Sequence, residues 1–577
     1  MRSEAENNVS QGGYMEEHVW FAHYDEKVPR TIQTPDQTLP FHLESNAERY
    51  KAHVATEFFG ARLTYGDLWR QIVSFSNGLR RLGVEKGTRI AIMLPNCPQT
   101  VIAFHAVLRL GAVGVMTNPM YVEREMEHQW KDSEAEFLLV LDHLYPRVRK
   151  VLPQTRIRRV IVTGIKDYLP FPLNYLYPVK AWKQKLFTAV PYSESTLRFT
   201  DLVRESPVQS APCTVQPDDL ALLQYTGGTT GLAKGVMLTH ANIMANVVQL
   251  AAWFTDLRYG RERFLSILPF FHVFGMTVCM NLPLYSGSAM ILVPRFELEQ
   301  FLKILHKSKP TLFPGVPTLF IAIVNHPKIQ SFDLSSIRYC ITGSAPMPVE
   351  VLRKFEELTG SVIIEGFGLT ESSPVTHANP LKGLRKIGSI GIPLPSTEAR
   401  IVSLDLDARE VPPGEAGELI VRGPQVMKGY WKLEDETAAA LRDGWLFTGD
   451  IATMDEDGYV FIVDRKKDMI IAGGYNVYPR EVEEVLYEHP KVMDAVCIGV
   501  PDPYRGETVK AFVVPKPGES VTERELIDFC RGKLAAYKVP KIVELRESLP
   551  KTTVGKVLRK ELRREEQERR AASENRS

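Results

Sequence analysis

Long apolar runs are missing from this chain: no uninterrupted stretch approaches the roughly 20 apolar residues that a helix needs to cross a bilayer. A secretory leader is not expected either, since the opening Met1-Arg2-Ser3-Glu4-Ala5-Glu6 is polar and acidic rather than basic and then apolar. Cysteine is scarce and scattered. The six, Cys97, Cys213, Cys279, Cys340, Cys497 and Cys530, form no CxxC pair, which speaks against zinc. Several sit in apolar runs such as Ala495-Val496-Cys497-Ile498, which predicts reduced core residues of a cytoplasmic protein. Charge of one sign is not in excess: 70 Lys and Arg face 69 Asp and Glu. No basic run is interleaved with aromatics outside the C-terminal tail and one segment near residue 180, so nucleic acid is not expected as a partner. Internal repeats are absent. What remains is ordinary globular composition, 44% hydrophobic and 24% charged over 577 residues, enough for large cores and more than one domain.

Against that background one stretch stands out, Tyr225-Thr226-Gly227-Gly228-Thr229-Thr230-Gly231-Leu232-Ala233-Lys234-Gly235. It follows the apolar strand Leu220-Ala221-Leu222-Leu223 and precedes Val236-Met237-Leu238 and a helix start at Thr239. Its glycines let backbone N–H groups turn toward one point, and its threonines and Lys234 add hydroxyls and a cation, which suits a polyphosphate. A kinase- or GTPase-type loop would end in Gly-Lys-Ser or Gly-Lys-Thr. Here Lys234 precedes Gly235 and Val236, so that loop is disfavoured; a plain Gly/Thr surface loop is the remaining alternative.

The flanking sequence has α/β grammar. Leu68, Ile72, Phe75, Leu79 and Leu82 fall on one helical face, with Thr64 as N-cap and Gly83 as stop. Arg89–Leu94 and Gly111–Met116 read as strands of a mostly parallel sheet. The pattern returns at Arg338–Thr342 (strand), Pro348–Leu358 (helix closed by Gly360) and Ser361–Glu365 (strand). From Arg400 to Phe461 short strands broken by Gly and Pro suggest a small β-barrel or ribbon. Asp464-Arg465-Lys466-Lys467-Asp468, five charges in a row, is expected to be a solvated hinge. The expected organisation is a flexible segment 1–35, a large domain 36–463, the hinge 464–468, a small α/β domain 469–562 and a frayed, charged tail 563–577.

The glycine loop, with Glu365-Gly366-Phe367-Gly368-Leu369-Thr370-Glu371, Trp445-Leu446-Phe447-Thr448-Gly449-Asp450 and Leu549-Pro550-Lys551-Thr552-Thr553-Val554-Gly555-Lys556, resembles the adenylate-forming enzymes, the superfamily of acyl-CoA synthetases. The resemblance runs from about Leu39 to Lys560, with the motifs in the family's order. It implies a two-domain α/β fold, and ATP, Mg²⁺ and CoA as co-substrates or cofactors. Residue by residue it implies that Thr226, Gly227, Gly228, Thr229, Thr230, Gly231 and Lys234 hold the β- and γ-phosphates. Gly343, Ser344 and Ala345 border the adenine, beside Glu365 and Gly366. Phe367 lies against the adenine where most relatives have Tyr; stacking survives that change and a hydroxyl contact does not. Thr370 contacts the α-phosphate, and Glu371, with Thr226, binds Mg²⁺, for which a hard carboxylate oxygen is suited. Asp450 accepts from both ribose hydroxyls and Arg465 adds to these contacts. Lys467 matches the hinge, Gly473 and Gly474 line the pantetheine tunnel, and Lys556 bridges the attacking carboxylate and the α-phosphate. Outside the motifs Glu371 would read as a helix-start carboxylate, and Arg465 and Lys556 as solvated cations.

Two features bear on which carboxylate is activated. Amino-acid-activating relatives carry an Asp near Phe271-His272; Leu268–Gly275 contains no acid, so an amine-bearing substrate is not expected. His272 is placed near the carboxylate or α-phosphate, or else is a core histidine. Acetyl-specific relatives have Trp where Gly368 stands, so Gly368 implies an open acyl pocket, lined by Phe271, Val273, Phe274 and Val316; a packed core is the alternative. Gly388–Glu398 and Gln425–Trp431 are much like bacterial long-chain fatty acid–CoA ligases. Medium-chain or aryl ligation, loading of a carrier protein, and fatty acid binding without catalysis remain the other readings. Finally, Tyr168–Lys185 is aromatic, Pro-broken and then basic, which fits a peripheral contact with the inner face of the cell membrane; a covered loop or a homodimer contact is the alternative.

Overall fold

The computed structural model describes residues 17–33, 37–183, 187–206, 214–226, 233–345, 347–405, 407–472, 475–502, 505–552 and 557–574. The helix Tyr65–Arg81 shows how the local sequence rules are met. Thr64 caps it through the Asp67 N–H, and Asp67 returns a bond to the Thr64 N–H. Leu68, Ile72, Phe75 and Leu79 are fully buried along its inner face. Two larger sheets organise the N-terminal part. One has eight strands, in the order Gly429–Tyr430, Lys234–Thr239, Leu220–Thr226, Val113–Met116, Arg89–Met93, Phe137–Leu141, Arg159–Thr163, Thr196–Arg198. The last six of these are parallel, and the two at the Gly429 edge are antiparallel. The other has nine strands, and its parallel centre runs through Arg263–Ser266, Leu312–Gly315, Tyr339–Thr342 and Val362–Gly368.

Strand alternation divides the eight-stranded sheet between two cores. Ile90, Ile92 and Leu139 face one side, while Ala91, Met93, Leu138 and Val140 face the other. The first of these cores also takes in the nine-stranded sheet, together with the helices Pro98–Arg109 and His240–Trp253. Pro98–Arg109 is buried on every side, as a helix with no polar face must be. The short-strand region takes the form of a five-stranded antiparallel sheet built on Glu398–Val402, Gly417–Arg422 and Trp445–Met454. Beyond it the C-terminal part has its own five-stranded sheet and two apolar clusters, which begin at Ile470 and share no residue with the large core.

Three expectations are corrected. Residues 17–33 are not a loose leader: Trp20 is buried, and the Asp25 carboxylate accepts the N–H groups of Leu381, Lys382 and Gly383. The hinge is not uniformly solvated. Asp464 and Asp468 are buried because partners meet them: the Arg480 N–H donates to Asp464 at 2.8 Å, and Arg563 and Arg559 pair with Asp468 at 2.8 and 3.4 Å. The tail is not frayed over 563–574. It continues the helix Arg559–Glu574, held by buried Leu562 and by pairs from Lys510 to Glu566 (2.6 Å) and Arg546 to Glu565 (2.7 Å).

Candidate functional site

The parallel strands of the nine-stranded sheet end in line: Gly315 pairs with Thr342, and Thr342 with Glu365. Val316, Gly343 and Gly366 are therefore each the first residue past that line, where open α/β sheets bind ligands. Gly343 is a close-approach position. A Cβ there would lie 3.0 Å from the Gly366 carbonyl oxygen and 3.6 Å from the Phe274 ring. Ser344 follows with φ of +71°, which turns the chain, and Ala345 is next. Burial raises the Glu365 carboxyl above its usual range, opposed by the Met347 N–H and the nearby Arg480. The Thr342 hydroxyl, at the end of its strand, is buried without a partner among the described residues.

The loop Leu268–Gly275 follows the neighbouring strand Arg263–Ser266. Asn96 fixes it, accepting the Phe270 N–H at 2.9 Å and donating to the Leu268 carbonyl at 2.8 Å. Gln224, two residues before Thr226, donates to the Phe271 carbonyl at 2.8 Å and so joins this loop to the other sheet. His272 is half-buried and not a core histidine. Its Nδ1 accepts the Phe274 N–H at 3.3 Å, which puts the neutral ring's proton on Nε2. Val273, Phe274 and Val316 are buried and Phe271 is half-buried. Phe313, on the strand that leads to Val316, is packed in this conformation: its ring stands 4.9 Å from that of Phe320, which meets Phe355 edge-on at 4.9 Å. Gly368 has a packing reason of its own, because a Cβ there would lie 2.0 Å from the Pro374 carbonyl oxygen.

Thr226 and Lys234 face each other across an antiparallel hairpin. Gly227, Gly228, Thr229, Thr230 and Gly231, between them, lie outside the described residues, as do Gly473, Gly474 and Lys556. Lys234 pairs with Glu436 at 2.5 Å and sits 5.1 Å from the Tyr430 ring centroid. Tyr430 in turn donates its hydroxyl to Glu371 Oε1 at 2.8 Å, and that carboxylate raises the phenol's pKa further after burial has done so. Thr370 and Glu371 form a single 3₁₀ turn, Thr370–Ser372, fixed by the Met427 N–H on the Glu371 carbonyl. Phe367 is half-buried, edge-on to His377 at 6.2 Å.

Asp450 lies inside the strand Trp445–Met454, not at its end, opposite Arg465 in register. A bulge at Ile451/Ala452 redirects the strand there. Arg465 pairs with Asp450 Oδ1 at 3.2 Å, while Oδ2 is buried with no partner among the described residues. An orphan acceptor of this kind fits paired hydroxyl donors such as those of a ribose. Desolvation lowers the amine of Lys467 and Arg465 adds to this, while Asp468, Asp450 and Glu371 act in the opposite sense. Glu371, Asp450, Arg465 and Lys467 thus share one electrostatic neighbourhood.

Sequence reasoning missed Tyr430, Glu436, Gln224 and Asn96. Tyr430 lies within Gln425–Trp431, which was read only for its likeness to a subgroup; the others carry no local signal. No group of three or more His, Cys, Asp or Glu among the described residues could hold a metal by itself. A single carboxylate can suit Mg²⁺, which keeps waters and takes substrate phosphates as ligands.

Comparison with known proteins agrees with this geometry. Residues 43–431 match the AMP-binding enzyme family and residues 481–556 the AMP-binding enzyme C-terminal domain. The chain is 50% identical to the long-chain-fatty-acid–CoA ligase of Bacillus subtilis (strain 168), over 95% of this chain and 98% of that protein. Among solved structures it is similar to the anthranilate CoA ligase AuaEII in complex with anthranoyl-AMP. Their TM-score is 0.82 at 27% identity, over 94% of this chain and 99% of that one. It is also similar to ATP-bound MatB from Rhodopseudomonas palustris, with a TM-score of 0.80 at 28% identity, over 92% of this chain and 99% of that one.

Proposed function

The chain belongs to the AMP-binding enzyme family, and from that premise we propose that it is a long-chain fatty acid–CoA ligase that forms AMP. The observation that supports the reading is the linkage of Lys234, Tyr430 and Glu371 at the Thr226/Lys234 hairpin, together with an Asp450 carboxylate whose Oδ2 has no partner among the described residues. In the first step a fatty acid carboxylate oxygen attacks the α-phosphorus of ATP and pyrophosphate leaves, giving acyl-AMP. In the second the CoA thiol, losing its proton, attacks the acyl carbon and AMP leaves with the bonding pair.

Lys234 and the glycine loop neutralise the triphosphate, Asp450 and Arg465 hold the ribose, and Phe367, with Gly343 to Ala345, borders the base. Glu371 and Thr226 would hold Mg²⁺, whose contribution is to offset charge on the phosphates. Thr370 and Lys556 serve the α-phosphate, and His272 stands by the carboxylate. Lys467 is the pivot on which the small domain turns between the two steps, and Gly473 and Gly474 give the thiol its approach. The acid-free loop Leu268–Gly275 suits an unsubstituted acyl chain, which would part the Phe313/Phe320 packing to enter. Among the described residues no helix is long and apolar enough to cross a membrane.

Acyl-CoA formation across acids from acetate to stearate, and with benzoate, tests the substrate class. Each methylene taken from water contributes roughly 0.8 kcal/mol. The rate at limiting acid is therefore expected to climb steeply with length. A maximum at acetate or benzoate overturns the long-chain reading and leaves adenylation standing.

Tyr430 offers a second check. Loss of its hydroxyl bond to a charged carboxylate removes an interaction of about 1.5–3 kcal/mol. Tyr430→Phe is expected to weaken Mn²⁺–ATP binding, read by calorimetry or spin resonance, by roughly tenfold. Binding of metal-free ATP should change less. Equal effects on both would mean that Tyr430 does not orient Glu371.

A further inference from the structure

The helix His240–Trp253 starts directly after the strand Lys234–Thr239, whose first residue is the lysine of the phosphate hairpin. Apolar residues would serve if this helix only packed, yet it carries amides on its inner side. Asn242, Asn246 and Gln249, spaced by four and three, share one face, and Asn246 and Gln249 are fully buried. Buried amides are costly unless their polar groups are met, so the groups that meet them show what they hold.

Asn246 grips one residue by both of its backbone groups. Its Oδ1 accepts the Val375 N–H at 3.0 Å, and its Nδ2 donates to the Val375 carbonyl at 2.7 Å and to Gln249 Oε1 at 3.0 Å. Val375 is the first residue past the loop that carries Thr370 and Glu371, and the Leu369 N–H closes the base of that loop on the Pro374 carbonyl at 3.1 Å. Within the loop Ser373 has φ of +59°, a left-handed conformation that a non-glycine residue keeps only where its surroundings fix it. The Thr277 hydroxyl donates to the Ser373 carbonyl at 2.8 Å on one side, and Asn246 holds Val375 on the other. The other two amides reach the segment that meets Glu371 from across the site. Asn242 donates to the Pro424 carbonyl at 2.9 Å and Gln249 to Gln425 Oε1 at 3.1 Å. Met427 and Tyr430, which bond the Glu371 carbonyl and carboxylate, follow immediately.

We propose that Asn246 is a positioning residue for adenylation: by clamping Val375 it fixes the Glu371 loop relative to the Lys234 hairpin, so that a divalent cation and the triphosphate are bound together. The helix is the rigid link between the two, since it continues the strand of Lys234 and grips the chain on both sides of Glu371. Without the clamp the carboxylate keeps its chemistry and loses its fixed place. The cost therefore falls on binding that needs the cation, more than on binding of the nucleotide alone. The proposal rests on the ligase reading for the role of Glu371.

Calorimetric binding of Mn²⁺–ATP and of metal-free ATP to the full-length protein tests it. Asn246→Leu, similar in volume but without either bond to Val375, is expected to weaken Mn²⁺–ATP about tenfold and metal-free ATP less than about threefold. The Mg²⁺ concentration giving half-maximal palmitoyl-CoA formation should rise in step, with the rate at saturating Mg²⁺ near the parental one. Asn246→Ser, which leaves room for a water to bridge to Val375, should show a smaller loss of the same kind, and tests the same clamp where the leucine variant fails to fold. The effect of Asn246→Leu should largely vanish in a Glu371→Gln background, because the clamp acts through that carboxylate. Asn46, a buried amide elsewhere that donates to the Leu284 and Tyr285 carbonyls, is the control: Asn46→Leu should lower stability and leave the ratio of the two affinities unchanged. Equal weakening of both forms of ATP by the Asn246 variants, or losses that multiply in the Glu371→Gln background, overturns the proposal. Failure of the ligase reading appears separately, in the unaltered protein, as absence of acyl-CoA from palmitate.

Discussion

Alanine at Lys556 is expected to lower palmitate-dependent exchange of pyrophosphate into ATP on the order of 10²–10³-fold, the usual cost of removing one donor aimed at transition-state charge. The α-phosphorus gains negative charge as the carboxylate adds, and a cation between the two anions is worth most at that moment. The thiolation half should respond differently. Palmitoyl-AMP supplied ready-made should still give palmitoyl-CoA at near the parental rate, because in the proposed mechanism Lys556 serves adenylation alone. Palmitate binding should also be retained. Parental exchange in the variant, or equal loss in both half-reactions, would remove Lys556 from the role assigned to it.

The second large effect concerns stability. Arg559 lies three residues beyond Lys556 in sequence, at the start of the last helix and just past Val557, which forms a bridge with Lys551. Its guanidinium reaches both oxygens of buried Glu483, at 2.6 and 2.8 Å, and Asp468 of the hinge at 3.4 Å. Glu483 also accepts the Cys497 N–H at 2.7 Å. Burial raises the Glu483 carboxyl and Arg559 opposes that rise. At Asp468 burial acts in the same upward sense but is outweighed by Arg559 and Arg563, so the net shift is downward.

Arg559→Met leaves the Glu483 charge buried and uncompensated, which costs about 3–5 kcal/mol. Urea unfolding followed on the C-terminal domain should show that loss. The double variant Arg559→Met, Glu483→Leu should recover most of it. The pH dependence has a definite sign. A carboxyl whose folded pKa lies above its unfolded value contributes its stability below the unfolded pKa and loses it as pH rises through the folded one. The single variant should therefore be least impaired near pH 4 and most impaired at pH 8, and the double variant should show a shallower slope, left by Asp464 and Asp468, which also face Arg559. A pH-independent deficit would place the effect in packing rather than charge.

The sequence made the chemistry legible because adenylation uses short, contiguous motifs. Thr226 and Lys234 flank one loop, Glu365 to Glu371 follow one strand, and the order of strands and helices could be read from alternation, caps and glycine stops such as Gly83 and Gly360. What it concealed was long-range. The five-charge hinge reads as solvated until Arg480, Arg559 and Arg563, from two distant helices, are seen to meet Asp464 and Asp468. The charged tail reads as frayed until Lys510, on one strand, and Arg546, just past the end of another, are seen to hold Glu566 and Glu565. Asp450 has the identity the motif requires, but its mid-strand position depends on a bulge that no residue type announces. Tyr430 touches Glu371 across 59 positions, and Gln224 touches Phe271 across 47. Gly368 shows the converse: a residue with a motif-based reading that also has a plain steric one in the approach of Pro374.

In the proposed mechanism the site activates a fatty acid on ATP before any thiol takes part. Exchange of labelled pyrophosphate into ATP, with the unaltered protein, palmitate and Mg²⁺ but no CoA, isolates that step. The expected result is exchange that depends on palmitate and persists without CoA. Exchange that appears only when CoA is present, or none with palmitate while AMP is still released, would contradict it.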